Sequence, residues 1–199
     1  MEGTYVITIA RQFGSLGRSI SKELALRLGI PFYDRDLVEA TARRMGQPIS
    51  LISEEEESAK SHFFGRQYPL GMGLLSMQQE IFQVQKNIIL DLVKKESCIL
   101  VGRCANSILR NYPNSLHVYI YAPYEKRLEN CIEELHMEPR LAQKYIRNVD
   151  RARENYHKKF GGQYEGSLDG YDLLIDSSKY GVEGTAEILY EIVEGKMKN

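Results

Sequence analysis

Short apolar runs and helical stripes alternate along this chain. Val6-Ile7-Thr8-Ile9-Ala10 is one such run. Ile30-Pro31-Phe32-Tyr33, Cys98-Ile99-Leu100-Val101, Leu116 to Ala122 and Asp172-Leu173-Leu174-Ile175 are the others. Continuous apolar runs of strand length suit a parallel sheet covered on both faces. Between them, apolar residues recur at helical spacing. Ile20, Leu24 and Leu28 share one stripe, which Gly29 and Pro31 close. A second helix is expected over about Arg35 to Met45. A long one is expected over about Leu74 to Lys95, with Leu75, Gln79, Phe82, Ile89 and Val93 facing inward. Residues 138 to 160 read as a helix with two faces. Leu141, Tyr145, Val149, Ala152 and Tyr156 form the apolar one, and Arg140, Lys144, Arg147, Arg151 and Lys158 the basic one. A last helix runs from about Val182 to Val193.

This alternation predicts an α/β domain of three layers, with a parallel sheet of about five strands and helices on both faces. Right-handed crossovers then gather the loops after each strand on one edge, where such sheets bind ligands. Residues 35–96 form a largely helical insertion between two strands. Glu54 to Glu57 read as a solvated helix face. Gly65, Pro69, Gly71 and Gly73 mark a mobile connection, and Gly161, Gly162, Gly166 and Gly170 a flexible loop.

Composition narrows the picture. With 199 residues, 43% hydrophobic and 27% charged, the chain suits one globular domain over 1–199. A net charge of −1 offers no broad attraction for nucleic acid or membrane. No apolar run approaches the roughly 20 residues of a membrane span. The first strand begins by about Tyr5, which leaves no room for a signal peptide. Cys98, Cys104 and Cys131 are odd in number and lack C-x-x-C spacing. A reducing, cytoplasmic setting is expected, without disulfides or zinc. His62, His117, His136 and His157 show no ligand spacing, and structural or surface roles are expected for them.

The candidate chemistry sits after the first strand. Gln12-Phe13-Gly14-Ser15-Leu16-Gly17-Arg18-Ser19 joins a strand to a helix, as in a phosphate-binding loop. Gly14 and Gly17 would let the backbone curl around an anion. Ser15, Leu16 and the first helical turn would offer N–H groups. Ser19 falls where such loops place a Mg²⁺ partner. Against the pattern G-x-x-x-x-G-K-[ST], Gln12 replaces the leading glycine and Arg18 the lysine.

The order of these pieces resembles the nucleoside monophosphate kinases, and within them the cytidylate-kinase-like proteins. Arg11 to Arg18 is similar to the A/S-R-Q-F/Y-G-S-x-G-R variant loop of that group. Ile30-Pro31-Phe32-Tyr33-Asp34 resembles its second strand and terminal Asp. Val101-Gly102-Arg103 resembles the G-R of its G-R-D segment, Asp150-Arg151-Ala152-Arg153 the D-x-x-R of the lid helix, and Leu174 to Ser178 the terminal I-D-S/T strand. The resemblance covers nearly the whole chain. It implies a P-loop kinase fold with residues 35–96 as the acceptor-binding insertion and 138–170 as the lid. It implies transfer of the γ-phosphoryl group of Mg-ATP to a nucleoside monophosphate or related acceptor. Arg18 would reach the β- and γ-phosphates, and Gln12 to Ser19 would cradle them. Asp34, Arg35, Gly102 and Arg103 would line the acceptor site. Arg147, Arg151 and Arg153 would close from the lid, and Ser19 would touch Mg²⁺ directly or through water. Cys104 stands where cytidylate kinases carry the Asp that helps read cytosine, so the resemblance leaves the acceptor base open. Two other readings fit the altered loop: a nucleotide-binding module without chemistry, and a sulfotransferase-like enzyme gripping a phosphosulfate nucleotide.

Overall fold

The computed structural model describes residues 4–57, 74–162 and 168–197. The expected mobile connection at 58–73 and residues 163–167 of the glycine-rich loop lie outside the described residues. Strands β1 (Val6–Arg11), β2 (Phe32–Tyr33), β3 (Cys98–Val101), β4 (Ser115–Tyr121) and β5 (Leu173–Asp176) form a five-stranded sheet in the order β2-β3-β1-β4-β5. All four pairings are parallel, with Ile7 of β1 opposite Ile99 on one side and Leu116 on the other. Parallel neighbours need crossovers, and helices supply them. These are α1 (Gly17–Leu28), α2 (Arg35–Met45), α3 (Ile49–Glu57), α4 (Leu74–Val93), α5 (Ala105–Ile108), α6 (Tyr124–Glu133), α7 (Pro139–Gly161) and α8 (Gly181–Met197). This is the expected three-layer α/β architecture, a five-stranded parallel sheet with helical crossovers.

The period of two along each strand divides the core. Ile7, Ile9, Ile99 and Val101 point to one face, against Ile20 and Leu24 of α1 and Leu189 and Val193 of α8. Val6, Cys98 and Leu100 point to the other, against Leu37 of α2 and Ile88, Ile89 and Val93 of α4. Burying one such side chain contributes about 1.5–3 kcal/mol, so the central strand β1 is held strongly from both faces. The site is built at its C-terminal end.

Several expected elements shift. The second apolar run contracts to Phe32–Tyr33; Pro31, which has no N–H, keeps only its carbonyl in the ladder, accepting from the Ile99 N–H at 2.9 Å. Gln79 of α4 is exposed, and Gln85 is the buried glutamine. Helix α7 is turned about its axis relative to the expected stripe. Ala142, Ile146, Ala152 and His157 are its buried residues, whereas Leu141 and Tyr145 are 49% and 48% exposed. Helix α6, not anticipated, packs beside α7 through Cys131, Ala142 and Ile146.

Candidate active site

From β1 the chain turns into α1 through a loop whose shape is enforced by its neighbours. Gly14 has φ 79°, and a Cβ there would lie 2.7 Å from the Arg127 carbonyl oxygen. A Cβ at Gly17 already has a close neighbour in the Arg11 Cβ, at 2.8 Å. Leu16 is left-handed at φ 58° and precedes α1 with no side-chain cap. The first-turn N–H groups are thus left for an outside acceptor, at the positive end of the helix dipole. Ser19 is exposed on that turn. These features fit an anion at the loop.

The loop is braced from several sides. The Gln12 N–H donates to the Ile120 carbonyl at 3.0 Å, and the Gln12 Oε1 accepts from the Ala122 N–H at 3.2 Å. Ser15 Oγ donates to the Gln12 carbonyl at 2.9 Å. The side chains of Gln12 and Ser15 therefore brace the loop. From α6, Asn130 Nδ2 donates to the Gly14 carbonyl at 2.8 Å, and Arg127 Nη1 to the Phe13 carbonyl at 3.1 Å. From α7, Asp150 accepts from the Phe13 N–H at 2.8 Å and pairs with Arg127. Arg153 Nη1 donates to the Arg11 carbonyl at 2.9 Å. Ser177, beyond β5, donates to the Ser15 carbonyl at 2.8 Å.

Beside the loop lies a pocket of about 280 Å³. Thr8 to Arg11 of β1 form its floor, and Val149, Ala152, Arg153, Tyr156 and His157 of α7 form its wall. Arg18, Asp34, Arg35, Gly102, Arg103, Cys104 and Asn106 complete it. Five arginines surround one carboxylate. Asp34, the residue before α2, is 5% exposed. Its Oδ1 pairs with Arg11 Nη2 at 3.3 Å and its Oδ2 with Arg18 Nε at 2.9 Å. The turn after β3 runs through three successive left-handed residues, Gly102, Arg103 and Cys104, at φ 74°, 57° and 54°. A Cβ at Gly102 would lie 2.6 Å from Arg11 Nη1, so this glycine makes room for that guanidinium.

The far end holds Asn106, Tyr156 and His157. His157 lies one helical turn beyond Arg153, about 6 Å along α7. Its Nε2 shares a hydrogen bond of 3.1 Å with Asn106 Oδ1, and Asn106 Nδ2 donates to the Gly170 carbonyl at 3.3 Å. Tyr156 Oη donates to the buried Gln85 at 3.0 Å and packs against Phe160 and Phe82. Under the floor, Thr8 Oγ1 meets His117 Nδ1 at 2.8 Å. Burial pushes the His117 pKa below its ordinary value, against the pull of Asp172. Among the described residues no group of three His, Cys, Asp or Glu side chains gathers to hold a metal.

Of the expected site residues, Arg18, Asp34, Arg35, Gly102, Arg103 and Arg153 share the pocket, and Gly14 to Ser19 shape the loop and first turn. Arg147 and Arg151 are exposed and outside the pocket. Arg11, Asn106, Tyr156, His157 and the braces Arg127, Asn130 and Asp150 were not singled out from sequence. Only Arg11 and Asp150 carried a signal, as members of quoted motifs.

Residues 6–179 match the cytidylate kinase-like family. A cytidylate kinase of Archaeoglobus fulgidus is 24% identical over 195 residues, spanning 96% of this chain and 95% of that protein. Among solved structures, an uncharacterized protein from Eubacterium ventriosum superposes with a TM-score of 0.74 at 22% identity, over 97% of this chain and 100% of its own. A shikimate kinase from Acinetobacter baumannii, in complex with shikimate, does so with a TM-score of 0.56 at 17% identity, over 98% and 96%.

Proposed function

The chain belongs to the cytidylate kinase-like family, and on that premise we propose that it moves the γ-phosphoryl group of Mg-ATP to a nucleoside monophosphate or related small anionic acceptor. One observation carries this reading: Arg18 leaves the first turn of the phosphate loop's helix and lines the pocket beside Asp34. A donor phosphate at the loop and an acceptor phosphate in the pocket would meet at that guanidinium. Phosphoryl transfer asks for positioning and for positive charge around the transferring group, with little covalent work by the protein. The loop N–H groups would hold the donor phosphates. Arg11, Arg35, Arg103 and Arg153 outnumber the one carboxylate, which favours an acceptor bearing phosphate. Ser19 would hold Mg²⁺, directly or through water. When bound there, Mg²⁺ would supply charge neutralisation for the donor phosphates. Because Asp150 and Arg153 tie α7 to the loop, Arg153 is the lid arginine already in reach, while Arg147 and Arg151 would act only after α7 moves. With Cys104 in place of an Asp, the uncharged end of the acceptor falls to Asn106, His157 and Tyr156.

The test is transfer from γ-labelled Mg-ATP across a panel of nucleoside monophosphates, deoxynucleotides and small metabolites. Transfer to CMP or dCMP is expected, falling by about 10³-fold or more in Arg18→Ala, as for other transition-state arginines. Full turnover in that variant would remove Arg18 from the mechanism. ATP binding with no transfer to any acceptor would favour the non-catalytic module, which the exchanges at Gln12 and Arg18 motivate. Preference for a 3′-phosphorylated adenosine over ATP would favour a sulfotransferase-like reaction.

A further inference from the structure

We propose that Asp34 is a positioning residue for Arg18. It pairs with the guanidinium from the buried side, and so holds the exposed arginine where it can address phosphate. This rests on the phosphotransferase reading above. Asp34 Oδ2 lies 2.9 Å from Arg18 Nε as an ion pair. A guanidinium carries five N–H donors, so pairing with one carboxylate oxygen leaves others for phosphate. The asymmetry of burial agrees: the Asp34 side chain is 7% exposed and that of Arg18 58%. The inner partner is the fixed one, and the outer partner faces the space between loop and pocket.

Asp34 is itself immobilised. Its other oxygen takes Arg11 Nη2 at 3.3 Å. The Arg11 side chain passes Gly17 and Gly102, where Cβ atoms would lie 2.8 Å from its Cβ and 2.6 Å from its Nη1. Arg153 holds the Arg11 carbonyl at 2.9 Å. The order is therefore Arg11, Asp34, Arg18, from buried to exposed. A lysine at 18 has one ammonium and no fork. It can serve Asp34 or a phosphate, and it offers no fixed bidentate geometry to either. The arginine at position 18 and the carboxylate at 34 thus act as one unit. Returning position 18 to the lysine of the common loop pattern should impair this chain rather than improve it.

The experiment is a double-variant cycle on wild type, Arg18→Lys, Asp34→Asn and the pair together. Calorimetry gives the affinity for inorganic tripolyphosphate and for Mg-ATP, and transfer assays give kcat and KM. Each single variant is expected to weaken tripolyphosphate about tenfold or more, the worth of a charge-assisted hydrogen bond. The double variant should lose no more than the worse single one, and Asp34→Glu should recover part of the loss. In turnover, kcat should fall more than the acceptor KM rises. Arg18→Lys binding and turning over like wild type would overturn the proposal. So would additive losses. Tighter binding in Asp34→Asn would also overturn it, because the carboxylate would then be sequestering Arg18. If Asp34→Asn does not fold, Arg18→Lys at its exposed position decides alone. Tripolyphosphate binding needs no acceptor. Absence of transfer with the coupling intact would therefore sink the kinase reading and leave this one standing.

Discussion

The turns after β1 and β3 leave neighbouring strands at the same edge of the sheet, yet their backbones differ. The first is held by its surroundings. Arg127 and Asn130 of α6, Asp150 and Arg153 of α7 and Ser177 beyond β5 each bond to it or to its first residue. The second shows backbone bonds: the Gly102 N–H reaches the Ile9 carbonyl of β1 at 2.9 Å, and the Ala105 N–H the Gly102 carbonyl at 3.0 Å. Arg103 and Cys104 stay left-handed there, at about 1–2 kcal/mol each. On the proposed function, the difference follows from what each turn would offer a ligand. The first presents backbone N–H groups, which need a fixed path and few side chains. The second presents Arg103 and, just beyond, Asn106, which must be aimed into a pocket. Backbone strain is one way to aim them.

If neighbours enforce the first turn, an added methyl there should be the most damaging small change. Gly14→Ala should lower the urea-unfolding free energy by about 3 kcal/mol or more, from backbone strain plus the clash with Arg127. Gly29 provides the contrast: its φ of 65° is similar, but an added Cβ meets nothing within 4 Å. Gly29→Ala should cost only about 1 kcal/mol. Equal losses would mean that conformation alone, not the surrounding helices, sets the loop. A smaller effect is expected at the brace itself. Asp150→Asn should cost about 2 kcal/mol by weakening the bond to Phe13 and leaving Arg127, 8% exposed, short of a counter-charge. The Phe13 amide should then exchange faster with solvent, which hydrogen exchange would read directly. An unchanged Phe13 rate would show that α7 does not hold the loop.

The second turn should respond with the opposite sign. Arg103→Gly releases a left-handed non-glycine and should raise stability by about 1 kcal/mol. It also removes one cation of the pocket, so binding of a nucleoside monophosphate should weaken. A less stable variant would show that the Arg103 side chain contributes more packing than the backbone loses in strain.

Much of this arrangement could be read from local sequence, and the rest could not, for a physical reason. Continuous apolar runs located all five strands, because buried parallel strands need no polar alternation. Gly29 marked a helix end, and it closes α1 in left-handed geometry. The loop was legible because its chemistry is contiguous. The braces are not contiguous: Asp150 lies 137 residues from Phe13, and His157 lies 51 from Asn106. Nothing in local spacing joins those pairs. The buried face of α7 was misread for a related reason. Its inward positions carry Ala142, Ala152 and His157 beside Ile146. Small and polar side chains line a close approach to a loop and pocket, while Leu141 and Tyr145 remain outside. A hydrophobicity stripe assumes one oily partner along the helix, and this helix meets an apolar cluster at its start and a polar pocket beyond.

The smallest effect concerns the floor beneath both turns. Thr8 lines the pocket and meets His117 Nδ1 at 2.8 Å, and Ser115 Oγ lies 3.2 Å from Nε2. Burial, mainly, pushes the His117 pKa below its ordinary 6.5; Lys196 and Arg110 lower it further, while Asp172 and a backbone bond with Leu109 oppose them. The folded protein therefore resists a proton that the unfolded chain accepts. The contribution to stability is complete above about pH 6.5 and declines as pH falls toward the folded value. A loss of stability is therefore expected as pH falls from 7 to 5. Urea unfolding of wild type and His117→Gln across that range isolates the contribution, since carboxylates common to both cancel in the difference. The stability gap between the two proteins should narrow on acidification. If the floor supports both turns, amide exchange at Phe13 and at Arg103 should quicken together in wild type as pH falls, after correction for intrinsic rates. Quickening at Arg103 alone would mean that the braces from α6 and α7 hold the phosphate loop independently of the strand beneath it.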